Sequence, residues 1–456
     1  MRREPIAERV WAIGDLHGDA DCAIHWVERT GLIRNFSSSP ESWQWREPSS
    51  QLVFMGDYID RGPAAREVLS FVHELTYRFP GRVHALLGNH ELNLLVDRAR
   101  KGGDGSRYLE YAYAAAHPAQ YSAWLGDDND LSSEKSEVLR LLHEALATVY
   151  RKGLHGQVKM IAAVGTEPLP ANSIIRFVQP ESARSLVARV LHRWQAAYMR
   201  GIGSHTALGA FLHRPLSVHL ADTIFVHGGL EESLLRTKRL PATPSAPELP
   251  LDSLEALAEL NVRWLNVTRD GRVGERARAL GVEYEAGESR WMAQAKEAHA
   301  LAESELTEIA SEMVEFRGLH EHYAGRYTDR HSASATSAVQ LACARVEAVC
   351  RLLNVSRIAV GHTPETNVRI RCGGRLLALD STLSRSFRAH GNYYCNEAME
   401  KSVPQFCPKR NVRCEGQIVR LERVGGENQP WLLHVVESDW NQERDESGVD
   451  ERKVEL

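Results

Sequence analysis

The sequence predicts an α/β fold (α+β by some schemes), with a parallel or mixed sheet covered by helices. Two observations carry that expectation. Three strand–loop–helix units succeed one another within the first hundred residues, the order that builds such a sheet. Charged residues make up 25% of the chain and hydrophobic ones 43%, so a core of ordinary size can be buried. At 456 residues there is room for about two to three domain-sized units.

The elements follow in order. "RVWAIGDLHGD", Arg9 to Asp19, is a short apolar strand breaking into a glycine-flanked loop. The helix after it places Ala23, Trp26, Val27 and Leu32 on one side. A Ser/Pro-rich loop, "NFSSSPESWQWREPSS", leads to a second strand, Gln51 to Met55, and a helix from about Ala64 to Phe79. "RVHALLGNHE" repeats the design, so residues 1–100 make the first half of a core. Residues 101–202 turn mostly helical and read as an insertion, with "SEVLRLLHEALATVY" its clearest amphipathic piece. Within 203–235, "ADTIFVHGGL" returns to strand and polar loop. The four prolines of "TKRLPATPSAPELPLD" mark a linker, and a charged helical stretch follows to Phe316. Together they make 236–330 a second insertion. Residues 331–436 complete the core, with strands at "VSRIAVGHTPE", "GGRLLALDSTL", "GQIVRLERV" and "PWLLHVVES". The acidic tail, 437–456, is expected to be disordered.

The net charge of −5 sits in that tail, which holds eight acids and three bases, so the body is neutral. Neither nucleic acid nor a membrane surface is an expected partner. No apolar run reaches the roughly 18 residues of a membrane span. The first strand begins near Arg9, too early for a cleaved leader, and a cytoplasmic location is expected. The seven cysteines show no Cys-x-x-Cys zinc spacing. Reduced thiols are the expectation, with a redox-sensitive cysteine between Cys395 and Cys414 as the alternative.

Five strand ends carry ligand-type residues: Asp15 and His17, then Asp57, then Asn89 and His90, then His227, then His362. Each lies beside a glycine, which lets the backbone bend and approach a ligand closely. Carboxylate, amide oxygen and imidazole together suit divalent ions such as Mn²⁺, Fe²⁺ and Zn²⁺. So many ionisable groups at the ends of apolar runs would be costly without a partner.

In this order, "GDLHGD", "GDYIDRG", "GNHE", "HGG" and "GHTP" resemble the calcineurin-like metallophosphoesterases. "GDYIDRG" with "GNHE" narrows the resemblance to the phosphoprotein phosphatase branch. Asp19 closing "GDLHGD", "DTIFVHGGL", and "GG" before "LDSTLS" are similar to its Shewanella-like group. The resemblance covers roughly Val10 to Leu95, Gly203 to Leu230 and Arg357 to Phe387. It implies a β-sandwich of two mixed sheets flanked by helices, with helical insertions. It also implies two divalent metal ions, Mn²⁺ foremost and Fe or Zn as alternatives. Asp15 and His17 would bind the first ion, Asp57 would bridge both, and Asn89, His227 and His362 would hold the second. A hydroxide between them would attack phosphorus directly, so no side-chain nucleophile is needed. His90 would be the general acid, supported by Asp60, and Arg61 would clamp the phosphate with forked hydrogen bonds. A second phosphate arginine is expected at Arg317, in "EFRG", with Arg326 as its rival. Asp19 is expected to order its loop or start the next helix. The "SAPNY" string of the eukaryotic signalling enzymes is absent, so subunits that use it are not implied.

The activity this implies is hydrolysis of phosphomonoesters, on phosphoserine, phosphothreonine or phosphotyrosine, in a phosphoprotein or phosphopeptide. The alternative is a nucleotide pyrophosphohydrolase, such as a diadenosine tetraphosphatase or a cap-cleaving relative, which shares most of the metal motifs. A degenerate binding protein would lack at least one ligand. All six metal positions and the His90/Asp60 pair are intact.

Overall fold

The structure is a computed structural model. It describes residues 8–99, 117–125, 132–154, 157–160, 172–203, 205–241, 248–269, 305–320, 335–385, 387, 413–425, 429–438 and 452–454. In the first sheet, β1 (Glu8–Ile13), β4 (Ser50–Phe54) and β5 (Val83–Ala85) run parallel. Its other half is antiparallel: β13 (Gln417–Arg423), β14 (Leu432–Glu437) and β15 (Arg452–Val454), in the order β15-β14-β13-β1-β4-β5. The second sheet has the order β11-β12-β10-β7-β6. There β7 (Thr223–Val226), β10 (Arg357–Val360) and β12 (Leu376–Ala378) are parallel. The edges, β6 (Ser217–Leu220) and β11 (Arg369–Arg371), are antiparallel to their neighbours. Two small hairpins, β2 (Ile33–Arg34) with β3 (Gln44–Trp45) and β8 (Arg239–Leu240) with β9 (Leu249–Pro250), complete the strands. The architecture is thus the expected sandwich of two mixed sheets.

The parallel strands are apolar on both faces because both are covered. Val10 and Ala12 of β1 join Val53, Phe225, Ala359 and Leu377 in one apolar layer contributed by both sheets. Their neighbours Trp11 and Ile13 join a second core with Trp26 and Val27 of α1 (Ala20–Thr30). That helix begins at Asp19, whose carboxylate accepts the Cys22 amide, and ends at Gly31 in the left-handed region (φ 64°). Helix α2 (Ala65–Arg78) buries Ala65, Val68, Leu69, Val72 and Leu75, a stripe at helical spacing. Helix α3 (Asn89–Ala99) starts on the ligand-type residue itself. In the region read as the first insertion, helices Pro118–Ser122, Ser132–Arg151 and Arg184–Gly201 bury Tyr121, Leu142 and Trp194. Among the described residues no helix is long and apolar enough to cross a membrane.

Two expectations are corrected. Part of the acidic tail is ordered, because β15 pairs with β14 at the sheet edge, where unpaired backbone groups accept a further strand. The thiols are not all reduced. Cys22 bonds Cys414 and Cys343 bonds Cys372, with Cα separations of 5.2 and 5.1 Å. Cys350 is a free, buried thiol, and Cys395 and Cys407 lie outside the described residues. Spacing along the chain could not show these pairs, since the first joins residues 392 positions apart.

Candidate metal centre

Within each sheet the three parallel strands point one way, and each is followed by a polar residue of the site, the usual place for function in such sheets. Asp15 and His17 follow β1, Asp57 follows β4, Asn89 and His90 follow β5, His227 follows β7 and His362 follows β10. Asp380, after β12, is the sixth. All but Asn89 and His90 are buried.

The loops meet at very short range, which the glycines allow. A Cβ on Gly88 would lie 2.2 Å from the Asp57 nitrogen, and one on Gly228 would lie 2.5 Å from Val314. His17, Asp57, Asp60, Arg61 and His362 all have positive φ. Left-handed backbone at side-chain-bearing residues is strained, and such clustering is typical of functional sites. Glu91, wholly buried, holds the central loop in that shape. Its Oε2 accepts the amides of Asp57 (2.9 Å) and Gly88 (3.1 Å), and its Oε1 those of Tyr58 (2.9 Å) and Ile59 (3.2 Å). Burial, then Asp57, pushes its carboxyl up to about 7, against amides that favour the charged form.

Asp57 is the centre of the cluster. Its Oδ1 faces His227 Nε2 at 3.4 Å and its Oδ2 faces His17 Nε2 at 3.6 Å. Both rings are fixed from behind. His227 Nδ1 donates to the Met55 carbonyl at 2.8 Å and His17 Nδ1 to the Ile59 carbonyl at 3.2 Å. A carbonyl can only accept, so Nδ1 carries the proton and Nε2 is the atom presented to Asp57. This back-side bond is how ligating histidines are oriented. Asn89 Oδ1 lies 3.1 Å from His227 Nε2 and 2.9 Å from His362 Nδ1. Two groups of donor atoms therefore converge, His17/Asp57/His90 and Asp57/His227/His362, each within 4.8 Å, and Asp57 belongs to both. Burial holds His17 and His362 well below the usual imidazole range, in the neutral form that binds metal. Burial opposes charge on Asp57, but His227 and His90 outweigh it and keep the carboxylate ionised. The residues present fit a pair of divalent cations. Asp15 lies between the groups, its Oδ2 4.0 Å from His17 Nε2 and its oxygens accepting the His362 backbone amide at 3.1 and 3.3 Å.

The remaining expected residues surround this centre. His90 Nδ1 meets Asp60 Oδ2 at 2.7 Å, and its Nε2 lies 3.8 Å from Asp57 Oδ2. Arg61 is partly buried beside them. Arg317 donates to the His362 carbonyl at 2.8 Å, so it reaches the same rim. Arg326 lies outside the described residues. Asp19 both starts α1 and binds Arg385. Sequence reasoning missed Glu91, Gln120 and Asp380. Gln120 Nε2 donates to Asp60 Oδ1 at 2.8 Å. Burial pushes the Asp380 carboxyl up to about 6. A signal existed for Glu91 in "GNHE" and for Asp380 in a strand-end carboxylate, but none existed for Gln120.

Residues 8–153 match the calcineurin-like phosphoesterase family. The chain is 36% identical over 106 residues to an uncharacterized protein of Schizosaccharomyces pombe, which covers 22% of this chain and 31% of that one. It is 35% identical over 88 residues to Shewanella-like protein phosphatase 2 of Arabidopsis thaliana, covering 19% and 21%. These curated relatives are matched over less than a third of their length. A solved cold-active protein-tyrosine phosphatase of a psychrophilic Shewanella aligns with 93% of this chain and 77% of its own, at 15% identity and a TM-score of 0.43.

Proposed function

We propose, for a chain whose residues 8–153 match the calcineurin-like phosphoesterase family, that it is a metal-dependent phosphoprotein phosphatase. The observation that carries this reading is Asp57, each of whose oxygens is faced by a histidine Nε2 whose ring is fixed on a backbone carbonyl. Asp15, His17 and Asp57 would hold one divalent ion, and Asp57, Asn89, His227 and His362 the other. Mn²⁺ suits this oxygen and nitrogen set, with Fe or Zn as alternatives. Bound there, the ions supply Lewis acidity to the phosphoryl oxygens and an acidified water as nucleophile.

The chain's own groups complete the chemistry. Arg61 offers forked N–H donors to the phosphate, and Arg317 brings a second cation to the rim. His90 gives its proton to the leaving oxygen from Nε2, because Nδ1 is bonded to Asp60. Burial works against the imidazolium, but Asp57 and Asp60 outweigh it and favour the protonated ring. Asp60 is a positioning residue, bonded to His90 rather than to substrate. Substrates are phosphoserine, phosphothreonine or phosphotyrosine side chains of proteins.

The test offers a phosphopeptide panel and diadenosine tetraphosphate side by side, with metal analysis of the purified protein. Phosphopeptide turnover is expected, lost on chelation and in Asp57→Asn. Rapid turnover of diadenosine tetraphosphate alone would overturn the reading in favour of a nucleotide pyrophosphohydrolase.

A further inference from the structure

Phe387 has no role in the site as described, yet its ring covers Arg61. The guanidinium carbon lies 4.0 Å from the ring centroid. The same ring meets His17 in a T-shaped contact at 5.1 Å. Its place is fixed from both sides of the "GDLHGD" loop. Arg385 donates to Asp19 Oδ2 from its backbone nitrogen (2.8 Å) and Nε (2.9 Å), and from Nη2 to Asp19 Oδ1 (2.8 Å) and Asp21 Oδ2 (2.7 Å). Asp19 is buried, which shields that ion pair from solvent. Buried Ser384 donates its hydroxyl to the His17 carbonyl at 3.3 Å and accepts the Phe387 amide at 3.4 Å. An acidic pair at the start of α1 and the His17 carbonyl thus set where this ring stands.

We propose that Phe387 is a positioning residue for the phosphate clamp. A guanidinium has two faces and an edge of N–H donors. A ring on one face attracts the cation and leaves the edge for forked bonds to phosphate. A long side chain such as that of Arg61 must be ordered to clamp phosphate, and the stack contributes to that ordering. Stacking takes that ordering into the folded state, so less is lost on binding. Arg385, through Asp19 and Asp21, holds the stack. Leucine could fill the same space but has no π face, which separates this role from packing.

This inference rests on the proposed function only in taking Arg61 as the phosphate-binding group. The test measures calorimetric binding of inorganic phosphate to the full chain, as purified with its metals. The proteins are wild type, Phe387→Leu and Phe387→Trp, plus Phe387→Leu in an Arg61→Lys background. The leucine variant is expected to bind phosphate about three- to tenfold more weakly, the range of an exposed to partly desolvated cation–π contact. The tryptophan variant is expected to stay within about twofold of wild type. On Arg61→Lys the leucine change is expected to cost less than about twofold, because the flat cation is gone. Arg385→Gln, which releases the support and leaves the ring, is expected to weaken binding in the same direction. Phosphate binding unchanged in Phe387→Leu, or a loss equally large on Arg61→Lys, would overturn the proposal. Binding is read without turnover. A wild-type protein that binds phosphate and leaves phosphopeptides intact would therefore count against the phosphatase reading and not against the stack.

Discussion

Gln120 donates to Asp60 Oδ1 at 2.8 Å while the other oxygen of Asp60 accepts His90 Nδ1 at 2.7 Å. A side chain from a helix beyond the first core segment thereby fixes the carboxylate that fixes the proposed general acid. Gln120 is wholly buried, so the bond is made away from competing water. Removing it frees Asp60 to rotate away from the imidazole. Gln120→Ala is expected to lower kcat about tenfold or more, as loss of an orienting partner does, with metal content unchanged. His90→Asn is expected to cost about 10²–10⁴ in kcat. Steady-state kinetics with metal analysis checks both, and a Gln120→Ala enzyme of wild-type kcat would refute the relay.

Glu91 accepts four backbone amides in the tightest part of the site. Glutamine has one acceptor oxygen instead of two, so Glu91→Gln strands about half of them. Each buried unsatisfied amide costs about 1–3 kcal/mol, and Glu91→Gln is expected to destabilise the fold by about 2–5 kcal/mol. Urea unfolding of the two proteins measures this. Equal midpoints and slopes would mean the strained loop holds its shape without the carboxylate.

The Cys22–Cys414 bond ties α1 to the approach to β13 across 392 positions of chain. Closing so long a loop restricts the unfolded ensemble, and Cys22→Ser is expected to cost about 2–5 kcal/mol. A reductant should lower the stability of wild type and leave Cys22→Ser less affected. A reductant that destabilises both proteins equally would assign the effect to the Cys343–Cys372 bond.

His143, on the helix Ser132–Arg151, is buried, with its ring centroid 5.1 Å from that of His117. Burial, then His117, holds its imidazole well below the usual range. The unfolded chain takes up this proton near pH 6.5 and the folded one does not, so stability falls as pH drops below that value. His143→Phe, which keeps a ring without the titration, is expected to gain on wild type between pH 7.5 and 5. The slope of the difference is at most about 1.4 kcal/mol per pH unit. A pH-independent difference in urea midpoint would remove His143 from the acid response of these helices.

Much of the fold and site was legible because it is written in local chemistry. "RVWAIGDLHGD" and "GDYIDRGP" each show an apolar strand ending at a glycine and a ligand-type side chain, and β1 and β4 end there. The stripe on α2 was equally plain, since burial of one helical face has a fixed period. Gln120, Phe387 and the disulfides had no such mark. A glutamine, a phenylalanine and scattered cysteines look alike in a core, on a surface or at a site.

By itself, the sequence determined the strand–loop–helix order, the sandwich implied by its motifs, and the placing of ligand-type residues at the strand ends. Those features depend on residues close along the chain, where backbone geometry and side-chain period leave few choices. Tertiary structure alone decided which histidine nitrogen faces Asp57, that Gln120 reaches Asp60, that Phe387 stacks on Arg61, and that Cys22 meets Cys414. These are contacts between segments tens to hundreds of residues apart. Their distances follow from how the two sheets and the helices pack, and packing has no period that a sequence displays.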